Sequence, residues 1–479
     1  MINAKIFEVL KTFSKEDFIK FGELVNSDYF NKSEMIRQLY GAIQSFAPSL
    51  EDKKLTREYL FEKLYPGKKF REGTIVNLLS GLYKLSEEFI ATEMFRSEEY
   101  TQQRYIIRGF GKRNLEKFLH KNYTDMMNEL SASKIQDDIY FNTQYELVQD
   151  YISYSNSEGP FIATEIIQKW HDKFIDFTVI KLLEGYVFMI NHKKYGYEHN
   201  FNMTFMEPLI RYISENSFSH APAILIYYNV MMLLKEDDER YYWKLKELVL
   251  QYPEIMKNSD RWTAYLCMVN FCQTRYDTLS VREKYSKEIH ELYRTIIDKE
   301  IYKVEAWYPF LHHRLYINIV QNGLNQGQNE WTENFINNYK DELTEEYKTS
   351  TFNLCYALYY FSIRDFEKTL VCLSKVQTED PFYFLQIKAL TLQVYYELKL
   401  YDNAISLMDT YRHYLKEKPE IPASYSARHR NFLSVINRLM KIRLGSAVYR
   451  DSDFDLNQDE FKSILKLDWL IEKIKEVKN

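Results

Sequence analysis

The chemistry-bearing residues that stand out first are basic, in two stretches. Arg104, Arg108, Lys112, Arg113, Lys117 and Lys121 recur at close to helical spacing, with only Glu116 opposing them. On one helix they would form a positive stripe able to hold phosphates or an acidic partner. The plainer reading is a solvated face. From Ile421 to Arg450 there is no Asp or Glu, while Arg428, Arg430, Arg438, Lys441, Arg443 and Arg450 all fall there. Wound as a helix, this stretch puts Phe432, Ile436, Leu439 and Met440 on one face and Arg430, Ser434, Asn437, Arg438 and Lys441 on the other. Arg428 and Arg443 fall on the apolar side, where a long stem packs while its head seeks a partner. Asp451, Asp453, Asp455, Asp459 and Glu460 follow directly. An intramolecular charge clasp therefore competes with an external polyanion such as nucleic acid. The polyanion candidates are Arg104, Arg108, Lys112, Arg428, Arg430, Arg438, Lys441 and Arg443.

Other chemistry is thin. The sequence holds no phosphate-binding glycine loop, no H-E-x-x-H and no G-x-S-x-G. Gly109-Phe110-Gly111 is a lone G-x-G with no strand before it, and reads as a turn between helices. His312 and His313 adjoin; on a helix such neighbours point about 100° apart and do not share a metal easily. His192 and His199 flank Lys193 to Tyr197, which reads as a turn, with only Glu198 as a nearby carboxylate. Cys267 and Cys272 read as small apolar fillers of one helix, and no cysteines form a C-x2-C pair. No catalytic residue, metal or cofactor is expected.

The elements that must carry these residues are helices. Glycine is 13 and proline 10 of 479 residues, against about 7% and about 5% in ordinary chains. That scarcity disfavours turn-rich sandwiches and barrels and favours long helices with short joints. The 41 Tyr and 31 Phe suit half-buried seams between helices. A net charge of −5 gives no global pull toward nucleic acid or anionic membranes. The most apolar window, Ala223 to Leu234, is too short to span a bilayer, and Met1 to Phe13 has charges where a signal peptide would be apolar. With four cysteines in all, a reducing compartment fits, and a cytoplasmic protein without membrane insertion is expected.

Residues 1–153 read as an N-terminal α-helical bundle. Ser14 caps a helix with Asp17 three residues on, a short helix starts after Thr56 and ends at Pro66-Gly67, and a longer one runs from about Glu72 to Phe95. Tyr154 to Pro160 is the expected break. Residues 161–479 then read as paired helices, with first members starting near Pro222, Trp262, Trp307, Thr351, Leu385 and Tyr425.

The clearest repeat lies at 351–415. Asp365-Phe366-Glu367-Lys368-Thr369-Leu370 leads to Leu373, Val376 and Pro381, and the next copy carries Tyr401, Ala404, Met408 and Tyr411. An aromatic at the turn, a small residue three later and a closing proline resemble the second helix of a tetratricopeptide repeat. Trp262-x2-Tyr265-Leu266 and Trp307-x2-Phe310-Leu311 are weaker echoes of that family's first helix, without its glycine. The resemblance implies an all-α fold: a bundle, then a right-handed solenoid of helical hairpins with a C-terminal capping helix at about 457–478. It also implies a concave face showing Leu354, Leu358 and Phe361, then Gln386, Gln393 and Tyr396, as partner-binding candidates. The expected function is a non-enzymatic scaffold or adaptor that binds a peptide or partner helix in a curved groove. The alternative is a regulator that binds nucleic acid or another polyanion through 104–121 and 428–443.

Overall fold

Little in this sequence interrupts a helix, and in the computed structural model 76% of the described residues are helical and none is in a strand. The structure describes residues 4–155, 164–194, 200–276, 280–304, 309–418, 421–456 and 458–478, with the backbone alone at 99, 194 and 462. Two compact units divide the chain. One comprises 1–132 with 142–173, the other 133–141 with 174–479. The division thus differs from the expected ranges 1–153 and 161–479: it falls within two helices, not at the small polar residues 154–160. Of that expected break, 156–160 lie outside the described residues.

The first unit opens with α1 (Lys5–Leu10), α2 (Lys15–Asn26), α3 (Glu34–Gln44), α4 (Arg57–Leu64) and α5 (Glu72–Ser97). Local chemistry sets their starts. Ser14 and Asp17 form a reciprocal capping box, and the hydroxyls of Ser33 and Thr56 accept backbone N–H groups of α3 and α4. The first four helices all pack on α5, whose Ile75, Leu79, Leu82 and Phe89 are buried with Phe18, Phe21, Leu39 and Leu60. Next come α6 (Glu99–Gly111) and α7 (Glu116–Ala132). Gly109 and Gly111 close α6 instead of forming a turn. A Cβ on Gly111 would lie 2.4 Å from Cβ of Tyr154, so the glycine permits a close backbone approach. The chain continues through α8 (Asp138–Tyr154) and α9 (Thr164–Lys194), in which the division falls.

The second unit adds α10 (Met206–Glu215), α11 (Pro222–Glu236), α12 (Glu239–Gln251), α13 (Asn258–Tyr276), α14 (Arg282–Asp298), α15 (His313–Asn325), α16 (Asn329–Asn338), α17 (Glu345–Ser362) and α18 (Phe366–Leu373). After them come α19 (Pro381–Glu397), α20 (Tyr401–Glu417), α21 (Ala423–Arg443), α22 (Asp459–Lys462) and α23 (Leu467–Lys478). From α11 to α20 neighbours pack as hairpins: α11 with α12, α13 with α14, α15 with α16, α17 with α18, α19 with α20. First helices also touch from layer to layer, at α11–α13, α15–α17 and α17–α19, and α21 packs on α20 and α23. This is the order of a helical solenoid, in which each layer rests on the last.

The repeat is visible in the backbone. Arg364 and Lys399 are left-handed at φ 64° and 59°, one in each of two successive hairpin turns. Asp365 then donates its N–H to Tyr360 O, and Leu400 to Tyr395 O, closing the preceding helix in the same way. Asp365 also caps α18, and Thr369 is fully buried at its crossing. Tyr411, where the family pattern has a small residue, is fully buried and donates its hydroxyl to Leu385 O at 3.0 Å. Helix α19 is apolar on two sides because it is sandwiched: Tyr383 and Leu390 join the core of the preceding layers, and Leu385, Ala389, Leu392 and Tyr396 the core beyond.

Two expected helices are broken. The stretch 104–121 is not one helix, since α6 and α7 are separated by a turn with Asn114 at φ 57°. The segment 457–478 is likewise two helices, parted at Lys466 with φ 56°. Trp307, expected to begin a first helix, lies outside the described residues, and α15 starts at His313. No helix among the described residues is long and apolar enough to cross a membrane.

Candidate interaction groove

The basic residues of the first unit turn inward. Arg104 is 9% exposed; it bonds Asp150 at 3.0 Å and pairs with Glu146, while Arg108 bonds Asp150 at 2.9 Å. Asp150 is itself buried, and a buried carboxylate requires a partner. These two arginines therefore tie α6 to α8 and do not join an external stripe, which corrects the expectation. Lys112, in the α6–α7 turn, and Lys117 and Lys121, on α7, are exposed.

The second basic stretch is mostly α21. Arg438 pairs with Glu460, and Arg443 with Glu476 at 3.0 Å. The chain beyond α21 thus folds back on it, as a clasp requires. The carboxylates involved are Glu460 and Glu476, whereas Asp451 pairs with Lys478 at 2.6 Å. Arg430 and Lys441 remain exposed.

Of the six partner-binding candidates, Leu354 and Tyr396 belong to cores. Leu354 is 1% exposed, and Tyr396 is 4% exposed with its ring edge-on to Trp469 at 5.4 Å. Neither is open to a partner, because the crossing helices and α23 cover them. Gln386 is half-buried. Leu358, Phe361 and Gln393 do come together, lining a cavity of about 440 Å³ that Arg428 also reaches.

That cavity is built from successive first helices. Tyr276 comes from α13, Gln321, Leu324 and Asn325 from α15, Leu358 and Phe361 from α17, Leu390, Gln393 and Glu397 from α19, and Arg428 from α21. Arg282 opens α14 and Arg364 lies in the α17–α18 turn. A second cavity of about 290 Å³ shares Tyr276, Gln321, Asn325 and Arg428 and adds Gln273, Tyr293, Asn318 and Asn322. Side-chain amides both donate and accept, which is what a peptide backbone needs. Residues 464–472 form the remaining wall. Trp469 Nε1 donates to Glu397 at 2.7 Å, Asp468 pairs with Arg282 at 2.6 Å, and Glu472 with Arg364 at 2.7 Å. Lys473 of α23, 1% exposed, bonds Glu397 at 2.8 Å.

His312 and His313 serve the fold. His312 caps α15, its Nδ1 accepting the N–H of Arg314 at 3.2 Å, so the pair does not lie along a helix as the sequence suggested. His313 stacks on Tyr347, and burial, then His312 and Arg314, lowers it to about 4. His192 ends α9, and His199 lies outside the described residues. Cys267 and Cys272 are both buried on α13. Among the described residues no group of three or more His, Cys, Asp or Glu side chains could hold a metal.

Tyr276, Gln321, Asn325 and Lys466 line the site without having been anticipated. Their only signal was a place on first helices, or beside Trp469. Compared with protein-family models, curated proteins and solved structures, the chain matches none.

Proposed function

We propose that the second unit is an interaction scaffold whose hairpins are tetratricopeptide-like, and that it receives an extended peptide or helix of a protein partner along the face formed by α13, α15, α17, α19 and α21. One observation carries the reading: amide and aromatic side chains from successive first helices converge on two adjoining cavities. Several modest contacts spread over layers are how such stacks gain affinity. The polyanion reading is weaker, because Arg104, Arg108, Arg438 and Arg443 are already held by carboxylates of the same chain. Four unbridged cysteines agree with a cytoplasmic location.

The test is crosslinking capture from the native cell with the full chain, at low and high salt, beside a Gln321→Ala/Asn325→Ala variant. The expected result is a protein recovered at both salts, crosslinked within 273–325 or 358–397 and lost in the variant. Recovery of no protein, or of nucleic acid that high salt removes, would overturn the proposal.

A further inference from the structure

The turn between α6 and α7 is an exposed tip of the first unit, every residue from Lys112 to Phe118 lying at the surface. Between Lys112 and Lys121 four cations, Lys112, Arg113, Lys117 and Lys121, stand against one carboxylate, Glu116. None of the four has a carboxylate partner among the described residues; Arg113 donates to the backbone oxygen of Gly109 at 2.9 Å. This separates them from Arg104 and Arg108, whose heads turn inward to Asp150. Apolar side chains share the tip. Phe118 is 52% exposed, and its ring meets that of half-buried Phe110 at 5.6 Å. Leu115 is exposed with its N–H bonded to Phe110 O at 3.0 Å, and Ile106 is exposed one helical turn before Phe110. On α7, positions 117, 118 and 121 fall within about 100° of arc. Buried Leu119, Tyr123 and Met126 take the opposite side.

A basic face held in water needs no phenylalanine among its lysines, so the coincidence of the two is the informative feature. We propose that this tip docks on an anionic lipid surface, with Lys112, Arg113, Lys117 and Lys121 on the headgroup phosphates and Ile106, Leu115 and Phe118 at the boundary with the acyl chains. A bilayer offers negative charge and an apolar layer in one plane, and affinity for it grows with both cation count and apolar area. The long lysine stems let their heads reach the phosphates beside a sunken ring. A nucleic acid would use the cations but leave aliphatic Ile106 and Leu115 in water. A partner helix seats in a groove, whereas here the chain projects as a turn. The contact is peripheral, since no described helix is long and apolar enough to cross a membrane. It belongs to the first unit and does not depend on the groove of the second.

Co-sedimentation of the full chain with extruded vesicles tests it, with equal parts phosphatidylglycerol and phosphatidylcholine set against phosphatidylcholine alone. Binding to the anionic vesicles is expected, weaker by about tenfold or more on the neutral ones and falling with added salt. Lys112→Gln/Lys117→Gln should weaken it about twentyfold, at about fivefold per lysine. Phe118→Ser should weaken it about tenfold with the surface charge unchanged. Leu115→Ser replaces Phe118→Ser if thermal melting shows that variant to be unfolded. Absence of binding to anionic vesicles, equal binding to both vesicle types, or binding that neither variant weakens would each overturn the proposal. So would tighter binding of polyuridine or polyglutamate than of anionic vesicles, lost in the lysine variant and kept in Phe118→Ser.

Discussion

His429 shows how one buried side chain makes this unit sensitive to acid. It is fully buried on α21, its Nδ1 meets the Tyr411 hydroxyl, and its Nε2 has no partner among the described residues. Burial, then Arg428 and Lys466, lowers its pKa from 6.5 to about 4. Between those values the unfolded chain binds the proton and the folded chain does not, so stability is complete above pH 6.5 and falls as pH drops toward 4. The loss is worth about 3 kcal/mol. Urea midpoints measured from pH 7 to 4 should fall accordingly, and His429→Gln should flatten that slope. Lys473 is the opposite case. Burial pulls its ammonium down, but Glu397, Glu476 and Glu472 outweigh burial and hold it well above the usual lysine range. Lys473→Met leaves Glu397 short of a cation and should cost about 2–4 kcal/mol in the urea transition followed by circular dichroism.

At the scale of elements, hairpin turns and helix crossings decide the packing. A Cβ on Gly323 of α15 would lie 2.3 Å from Oγ1 of Thr332 on α16, and Thr332 is fully buried. Gly323→Ala should therefore destabilise by about 1–3 kcal/mol despite its better helix propensity, as thermal melting would show. Lys399 is exposed and left-handed. Lys399→Gly should raise stability by about 0.5–1 kcal/mol, since the strain relieved exceeds the added chain entropy. A melting point that falls would remove the strain argument. Helix pairing was legible because apolar spacing and caps such as Ser14 and Asp365 are local. The break at Lys466 was not, because Ile464, Leu465 and Leu467 keep helical spacing and no glycine marks the left-handed residue. Asn114 is a residue that tolerates that conformation, and was the available mark for the α6–α7 turn.

At the scale of the whole molecule, charge pattern was the least reliable guide to function. Opposite charges distant in sequence meet after folding: Arg104 finds Asp150, Arg282 finds Asp468, and Arg364 finds Glu472. Spacing along the chain cannot reveal such pairs. Leu358, Phe361 and Gln393 line one cavity and could be picked from their places on first helices, whereas Tyr276, Gln321 and Asn325 required knowing which layers adjoin. The thiols carry a separate consequence. Cys267 and Cys272 lie inside α13, Cys355 inside α17, and half-buried Cys372 on α18. Burial raises the last three, so each is protonated at neutral pH. An alkylating reagent should label Cys372 first and reach the others only as their own hairpins part, with mass spectrometry giving one rate per site. A single shared rate would mean that the stack opens only as a block; separate rates would make the four sulfurs a clock for the breathing of individual layers.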